Sequence, residues 1–221
     1  DASTDELDPP DLVVPLEALD DEAASRLVID HRGSLRDDQV ARIVRAGRGN
    51  PFVLVELAGR ADSGELPDSL ERLATEQIDA LDPAVRALVR DASTFGISAA
   101  PDVVAAVLQR SVLADRSAWA GAEPVLQWTD AGALVFRHEA YRAAAEASLT
   151  FHRRRMLHGQ IAEWLMRQPD QQDALVAWHL QEAGRMREAF PIALAAARSA
   201  RESGASVEAS ELFARLVTMS R

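Results

Sequence analysis

The chain has no cysteine. Disulfides and thiolate-held metal centres are excluded, and the composition fits a reducing, cytoplasmic setting. It has no lysine either, so all 24 basic residues are arginine. A Walker A loop needs a lysine to reach the β- and γ-phosphates, so this stretch of chain is expected not to hydrolyse ATP by that chemistry. No apolar run approaches the roughly 18 residues that span a bilayer, and no membrane partner is expected. The acidic, polar start, Asp1-Ala2-Ser3-Thr4-Asp5-Glu6, is the opposite of a signal peptide. There is no Gly-x-Ser-x-Gly elbow. The five histidines, His31, His138, His152, His158 and His179, show no His-Glu-x-x-His or paired-ligand spacing. Neither catalytic residues nor a metal site are expected.

What is present is globular. In 221 residues, 48% are hydrophobic and 27% charged, enough to bury a core in one to three small domains. The net charge of −11 repels a phosphate backbone and disfavours non-specific nucleic-acid binding. The one dense basic patch, Arg153-Arg154-Arg155 between His152 and His158, reads as an exposed helix start.

Helical signals dominate, and the expected fold is mainly α. Residues 1–19 read as a linker in which Leu12–Leu16 could form an edge strand ended by Pro15. Asp20 and Asp21 open a helix that Gly33 closes. Asp37 or Asp38 opens a second, with Val40, Ile43 and Val44 at helical spacing and Gly47 at its stop. Asn50-Pro51 turns the chain into a third helix, striped by Val53, Leu54 and Leu57. A polar loop over 60–66 precedes a helix restarted by Pro67, and Asp82-Pro83 marks a domain junction. The acids at Asp20-Asp21-Glu22 and Asp37-Asp38 sit where helix starts want them.

Residues 82–150 change character. A helix carrying Val85, Leu88 and Val89 leads through a loop at 93–98 to a second helix near Ala100-Pro101-Asp102. A third is expected over 112–120. Pro124–Trp128 and Ala133–Phe136 then read as a β-hairpin. Helix, helix, helix, hairpin is the order of a winged helix. From His138 onward the chain reads as helical, with Ala140, Ala144 and Leu149 as the first apolar positions. Gly184-x-x-x-Glu188-Ala189 and Gly204-x-x-x-Glu208-Ala209 repeat a pattern, and Trp178 and Phe213 stand 35 residues apart. That is close to the period of about 34 of tetratricopeptide α-hairpins, assigned to 151–221. Trp119, Trp128, Trp164 and Trp178 are expected in cores.

Two segments carry more than punctuation. One is Arg45-Ala46-Gly47-Arg48-Gly49-Asn50-Pro51-Phe52-Val53-Leu54-Val55-Glu56-Leu57. The other is Phe136-Arg137-His138-Glu139-Ala140-Tyr141-Arg142. Read alone, Gly49-Asn50-Pro51 is a turn before a helix. In its longer context it resembles the helical lid of signal-transduction ATPases with numerous domains, the STAND class. Pro15-Leu16-x-x-Leu19-x-x-Glu22-Ala23 is similar to the start of the same lid. Phe136-Arg137-His138 resembles the family's Phe-Arg-His, although Glu139–Ala145 departs from its usual continuation.

The resemblance implies a helical lid over 20–81, a winged helix over 82–150 and the first repeats over 151–221. It implies that the turn of Gly49, Asn50 and Pro51 binds nucleotide, the proline covering adenine. His138, with Arg137 as a weaker candidate, would face the phosphate side. The cofactor, ADP or ATP, would bind only together with a P-loop domain upstream, and the isolated chain would hold none. The chain would then be the regulatory back half of a switch, as in large LuxR-type transcription regulators or nucleotide-cyclase fusions. Its partners would be that upstream domain and a protein or small-molecule inducer on the repeats. The acidic start and the partial last repeat suggest a fragment. Two other readings stay open. One is a stand-alone helical-repeat scaffold. The other is a winged-helix DNA-binding regulator, for which Arg110 and Arg116, set against Asp115, offer a thin basic surface.

Overall fold

The computed structural model describes residues 17–61, 69–169 and 172–219. The expected strand at Leu12–Leu16 and the helix restart at Pro67 lie outside these residues. Among the described residues the protein is mainly helical, with eleven α-helices and one three-stranded antiparallel sheet. Two compact units divide the chain, residues 1–72 and 73–221.

In the first unit, α1 (Asp21–Arg32) starts where the Asp20 carboxylate accepts the Ala23 N–H at 2.7 Å. The helix α2 (Asp37–Gly47) is preceded by Arg36 rather than by an aspartate. Gln39 does the capping there, accepting from the Arg36 N–H and donating to the Ala61 carbonyl, each at 3.0 Å. The helix α3 (Pro51–Gly59) packs against both. Val28, Ile43, Leu54, Leu57 and Ala58 form the buried core of this unit. Arg32, at the end of α1, donates to the Ala58 and Gly59 carbonyls, which end α3.

The helix α4 (Leu70–Asp79) leads into the second unit. There α5 (Pro83–Ala92) begins at Asp82, whose carboxylate accepts the Ala84 N–H at 2.9 Å. A short 3-10 turn at Ser93–Phe95 precedes β1 (Ser98–Ala99) and α6 (Pro101–Val107). Next come β2 (Leu126–Trp128) and β3 (Leu134–Phe136), in the sheet order β1-β3-β2. Ser98 pairs with Val135, and Leu126 with Phe136. The expected two-stranded hairpin therefore gains a third strand from what read as a loop. Two residues are too few to show alternation, and the Phe136 N–H bonded to the Ile97 carbonyl at 2.8 Å recruits them.

The helix expected at 112–120 is absent as such. Two 3-10 turns, Ser111–Ala114 and Arg116–Trp119, take its place. Asp115 between them is extended, and its carboxylate accepts the Ser117 N–H at 2.8 Å. A short acid that bonds the backbone locally competes with helix continuation. Trp119 is buried beside them and donates from Nε1 to the Leu113 carbonyl at 2.9 Å.

Five helices follow: α7 (Glu139–Ala147), α8 (Phe151–Leu165), α9 (Asp173–Glu182), α10 (Met186–Glu202) and α11 (Ser206–Met219). From α8 onward each packs on the next in sequence. The buried face of α7 is Tyr141 and Ala145, one position on from the expected Ala140 and Ala144, which are half-buried. Gly184 follows α9 with φ +74°, and a Cβ there would lie 1.8 Å from the Arg155 guanidinium. A side chain there would have to displace that guanidinium and adopt a strained left-handed backbone. Replacing Trp119 by Phe leaves the Leu113 carbonyl unpaired, and urea unfolding should show a loss of about 1–3 kcal/mol.

Candidate functional site

The turn expected to touch nucleotide is built in the first unit. Gly47 ends α2 so close to α3 that a Cβ would meet the Leu54 side chain at 2.4 Å. Arg48 adopts a left-handed conformation, φ 47°. Gly49 has φ +73°, and a Cβ there would fall 2.4 Å from the Leu19 carbonyl oxygen. The Leu19 N–H donates back to the Gly49 carbonyl at 2.9 Å. The segment before α1 thus lies against the turn, which explains why the glycine is needed.

Asn50 caps α3, its side-chain oxygen accepting from Phe52 N at 3.0 Å and Val53 N at 3.4 Å. Pro51 occupies the first helical position and is exposed, while Gly47 and Gly49 are buried. Beside the turn is a cavity of about 240 Å³ lined by Ala46, Gly47, Arg48, Asn50, Val53, Ser69, Leu70 and Glu71. The Glu71 carboxyl is held below its ordinary range by hydrogen bonds from its own backbone and from Ser69, with Arg48 adding to the effect.

His138 and Arg137 belong to the second unit. His138 caps α7, its Nδ1 accepting from the Ala140 N–H at 3.1 Å. An accepting Nδ1 carries no proton, so the neutral ring holds its proton on Nε2 as a donor. Arg137 is exposed and donates to the Pro124 carbonyl at 3.3 Å. It borders a cavity of about 240 Å³ with Arg116, Trp119, Glu123 and Trp128. The Arg116 guanidinium lies 5.1 Å from the Trp128 ring centre. Gly49, Asn50 and Pro51 therefore form one local arrangement, and His138 and Arg137 another.

Two members of the basic patch are spent inside the fold. Arg153 makes a two-point pair with the buried Asp91, Nε–Oδ1 2.9 Å and Nη2–Oδ2 2.5 Å. Arg155 donates to the Ala183 carbonyl at 2.8 Å and lies over the Phe151 ring.

The structure also joins residues that the sequence left apart. His158 and His179 are both buried, with their Nδ1 atoms 2.9 Å apart. Glu146 stands 3.8 Å from His158 Nε2. Its carboxyl is held low by the nearby His158 ring and then by Arg142. The only signal in the sequence was that each histidine falls on its helix's apolar side, beside Leu157 and Ile161 or Val176 and Leu180. Among the described residues no group of three or more potential ligands is placed to hold a metal ion. No helix among them is long and apolar enough to cross a membrane. Compared with known families, curated proteins and solved structures, the chain matches none.

Burial, and then the neighbouring His158, pushes His179 down from 6.5 to about 3. A depressed histidine means that the unfolded chain binds a proton the folded chain refuses. Stability is therefore unaffected above about pH 6.5 and falls as the pH drops from there towards 3, by up to about 1.4 kcal/mol per unit. Denaturant midpoints at pH 7 and pH 5 should show the loss, and His179→Gln should remove most of the difference. Gly49→Ala should destabilise the first unit by about 2 kcal/mol or more, because it adds left-handed strain to a clash with Leu19.

Proposed function

We propose that this chain is the regulatory half of a STAND-type nucleotide switch. It comprises a helical lid (20–81), a winged helix (82–150) and tetratricopeptide-like α-hairpins (151–221). In this reading it closes over ADP or ATP held by a P-loop domain that these residues do not contain. The observation that carries the reading is the exposed Pro51 ring at the head of α3, on a turn otherwise fixed by two buried glycines and an asparagine cap. A rigid apolar ring can cover the face of a base without requiring hydrogen bonds. The adjoining cavity contains Glu71, which suits the uncharged base end of a nucleotide better than its phosphates.

The fixed tautomer of His138 supports the second contact, because an Nε2–H can donate to a phosphate oxygen. The succession of helices, a small sheet and then paired helices supports the three-part division. Closure would be a two-state packing of domains, which an inducer on α8–α11 could bias only by binding one state better. Arg116 is engaged with Trp128, and this favours docking on protein over DNA. A second reading, a protein-interaction scaffold, is favoured by an open cavity of about 470 Å³ between α9 and α10, lined by Asp173, Leu175, Ser199 and Ser203.

The test is a titration with fluorescent ADP, of this chain alone and mixed with the polypeptide encoded directly upstream. Binding is expected only in the mixture. Pro51→Ala and His138→Ala should each weaken it roughly tenfold, about 1.4 kcal/mol. If the mixture binds no ADP, the switch reading fails and the scaffold reading stands.

A further inference from the structure

A further cavity lies wholly within the second unit, at the far end of α7 from His138. The nine residues of α7 span about 13 Å, so the two places are distinct. This cavity measures about 480 Å³ and is lined by Pro83, Arg86, Ala87, Arg90, Asp91, Ser148, Leu149, Thr150 and Arg153. Its size falls in the range of small-molecule pockets.

Its charges do not balance. Arg153 is spent on Asp91 through the two-point pair. Arg86 and Arg90 stand one turn apart on α5, where like charges repel. They share one carboxylate, that of the half-exposed Asp79. Arg86 Nη1 is 3.8 Å from Asp79 Oδ1 and donates to the Asp79 backbone carbonyl at 2.8 Å. Arg90 Nη2 is 3.1 Å from the same Oδ1. Three guanidiniums thus meet two carboxylates.

Arg90 Nε is buried and has no hydrogen-bond partner. A buried N–H left unpaired is costly and rare in a native fold. It can be satisfied if the guanidinium turns from Asp79 towards an acceptor in the cavity. Across the cavity, α8 begins at Thr150 with no acid in its first turn to offset the helix dipole.

We infer that this cavity binds a small ligand through an oxyanion group, a phosphate or a carboxylate, gripped by Arg86 and Arg90. Pro83, Ala87 and Leu149 supply apolar surface for the ligand's body. The inference stands apart from the nucleotide reading and needs no upstream domain.

The whole chain is titrated at low ionic strength with sodium phosphate, with sodium acetate and with sodium chloride, following the arginine Nε–H signals by NMR. A saturating shift of the Arg90 signal is expected with phosphate or acetate and not with chloride. The anion that saturates identifies the group recognised. Arg86→Gln and Arg90→Gln should each weaken binding about tenfold or more, the size of a lost charge-assisted hydrogen bond. Asp79→Asn removes the competing carboxylate and should tighten binding, a gain that a damaged fold cannot imitate. The inference is overturned if no anion saturates, if chloride gives the same shift, or if Asp79→Asn leaves the affinity unchanged or lowers it.

Discussion

A helix leaves its last carbonyls without partners, and in this protein arginines from other helices supply them. Arg32 of α1 reaches the end of α3. Arg142 of α7 reaches the Ser93 carbonyl, at the end of α5. Arg155 of α8 reaches the Ala183 carbonyl, at the end of α9. Each contact places a cation at the negative end of a helix dipole and ties two helices together. Arginine suits the task because its planar fork stays charged and can serve more than one acceptor. A chain whose only cations are arginines can use this tie repeatedly.

The pair between Asp91 and Arg153 works differently. Asp91 is buried, whereas Arg153 stays partly open to solvent. Loss of the arginine would leave a carboxylate in a poorly hydrated place, so the pair matters more for what its rupture costs than for what its formation gains. It joins α5 to α8, the point where the sheet-containing part meets the run of paired helices. Glu146 plays a related part on α7, standing between Arg142 and the buried His158. The Asp91–Arg153 pair lines the arginine-rich cavity, so an anion bound there, as inferred above, would act on a contact that holds the helices.

The two candidate regions are built by different means. The Gly47–Pro51 turn is a matter of space: two glycines let the backbone pass close to Leu54 and Leu19, and the proline is left facing out. His138 is a matter of bonding: its ring caps a helix and is thereby held in one tautomer. The two glycines of the repeated Gly-x-x-x-Glu-Ala pattern also differ. Gly184 is covered by Arg155, whereas nothing lies near the missing Cβ of Gly204. The recurrence in sequence therefore marks the same turn in two different packing environments.

Local chemistry was enough for much of this. Caps at Asp20, Asn50 and Asp82, the prolines that follow Asn50 and Asp82, and apolar stripes at helical spacing placed α1, α2, α3 and α5 from the sequence. These signals act within one turn of helix, where neighbours in sequence are neighbours in space. The strands β2 and β3 were legible for the same reason. Local signals failed where a distant group, a competing local bond or side-chain size decided. Residues 98–99 became a strand because Val135 and Leu134 offered a free edge. Residues 112–120 lost their helix to the carboxylate of Asp115. The buried face of α7 moved one position because the large Tyr141 ring, not the small alanines, filled the core. The His158–His179 pair, the Asp91–Arg153 pair and the arginine-lined cavity each join residues far apart in the chain. Sequence determined which side chains were available; only the folded packing determined which of them met.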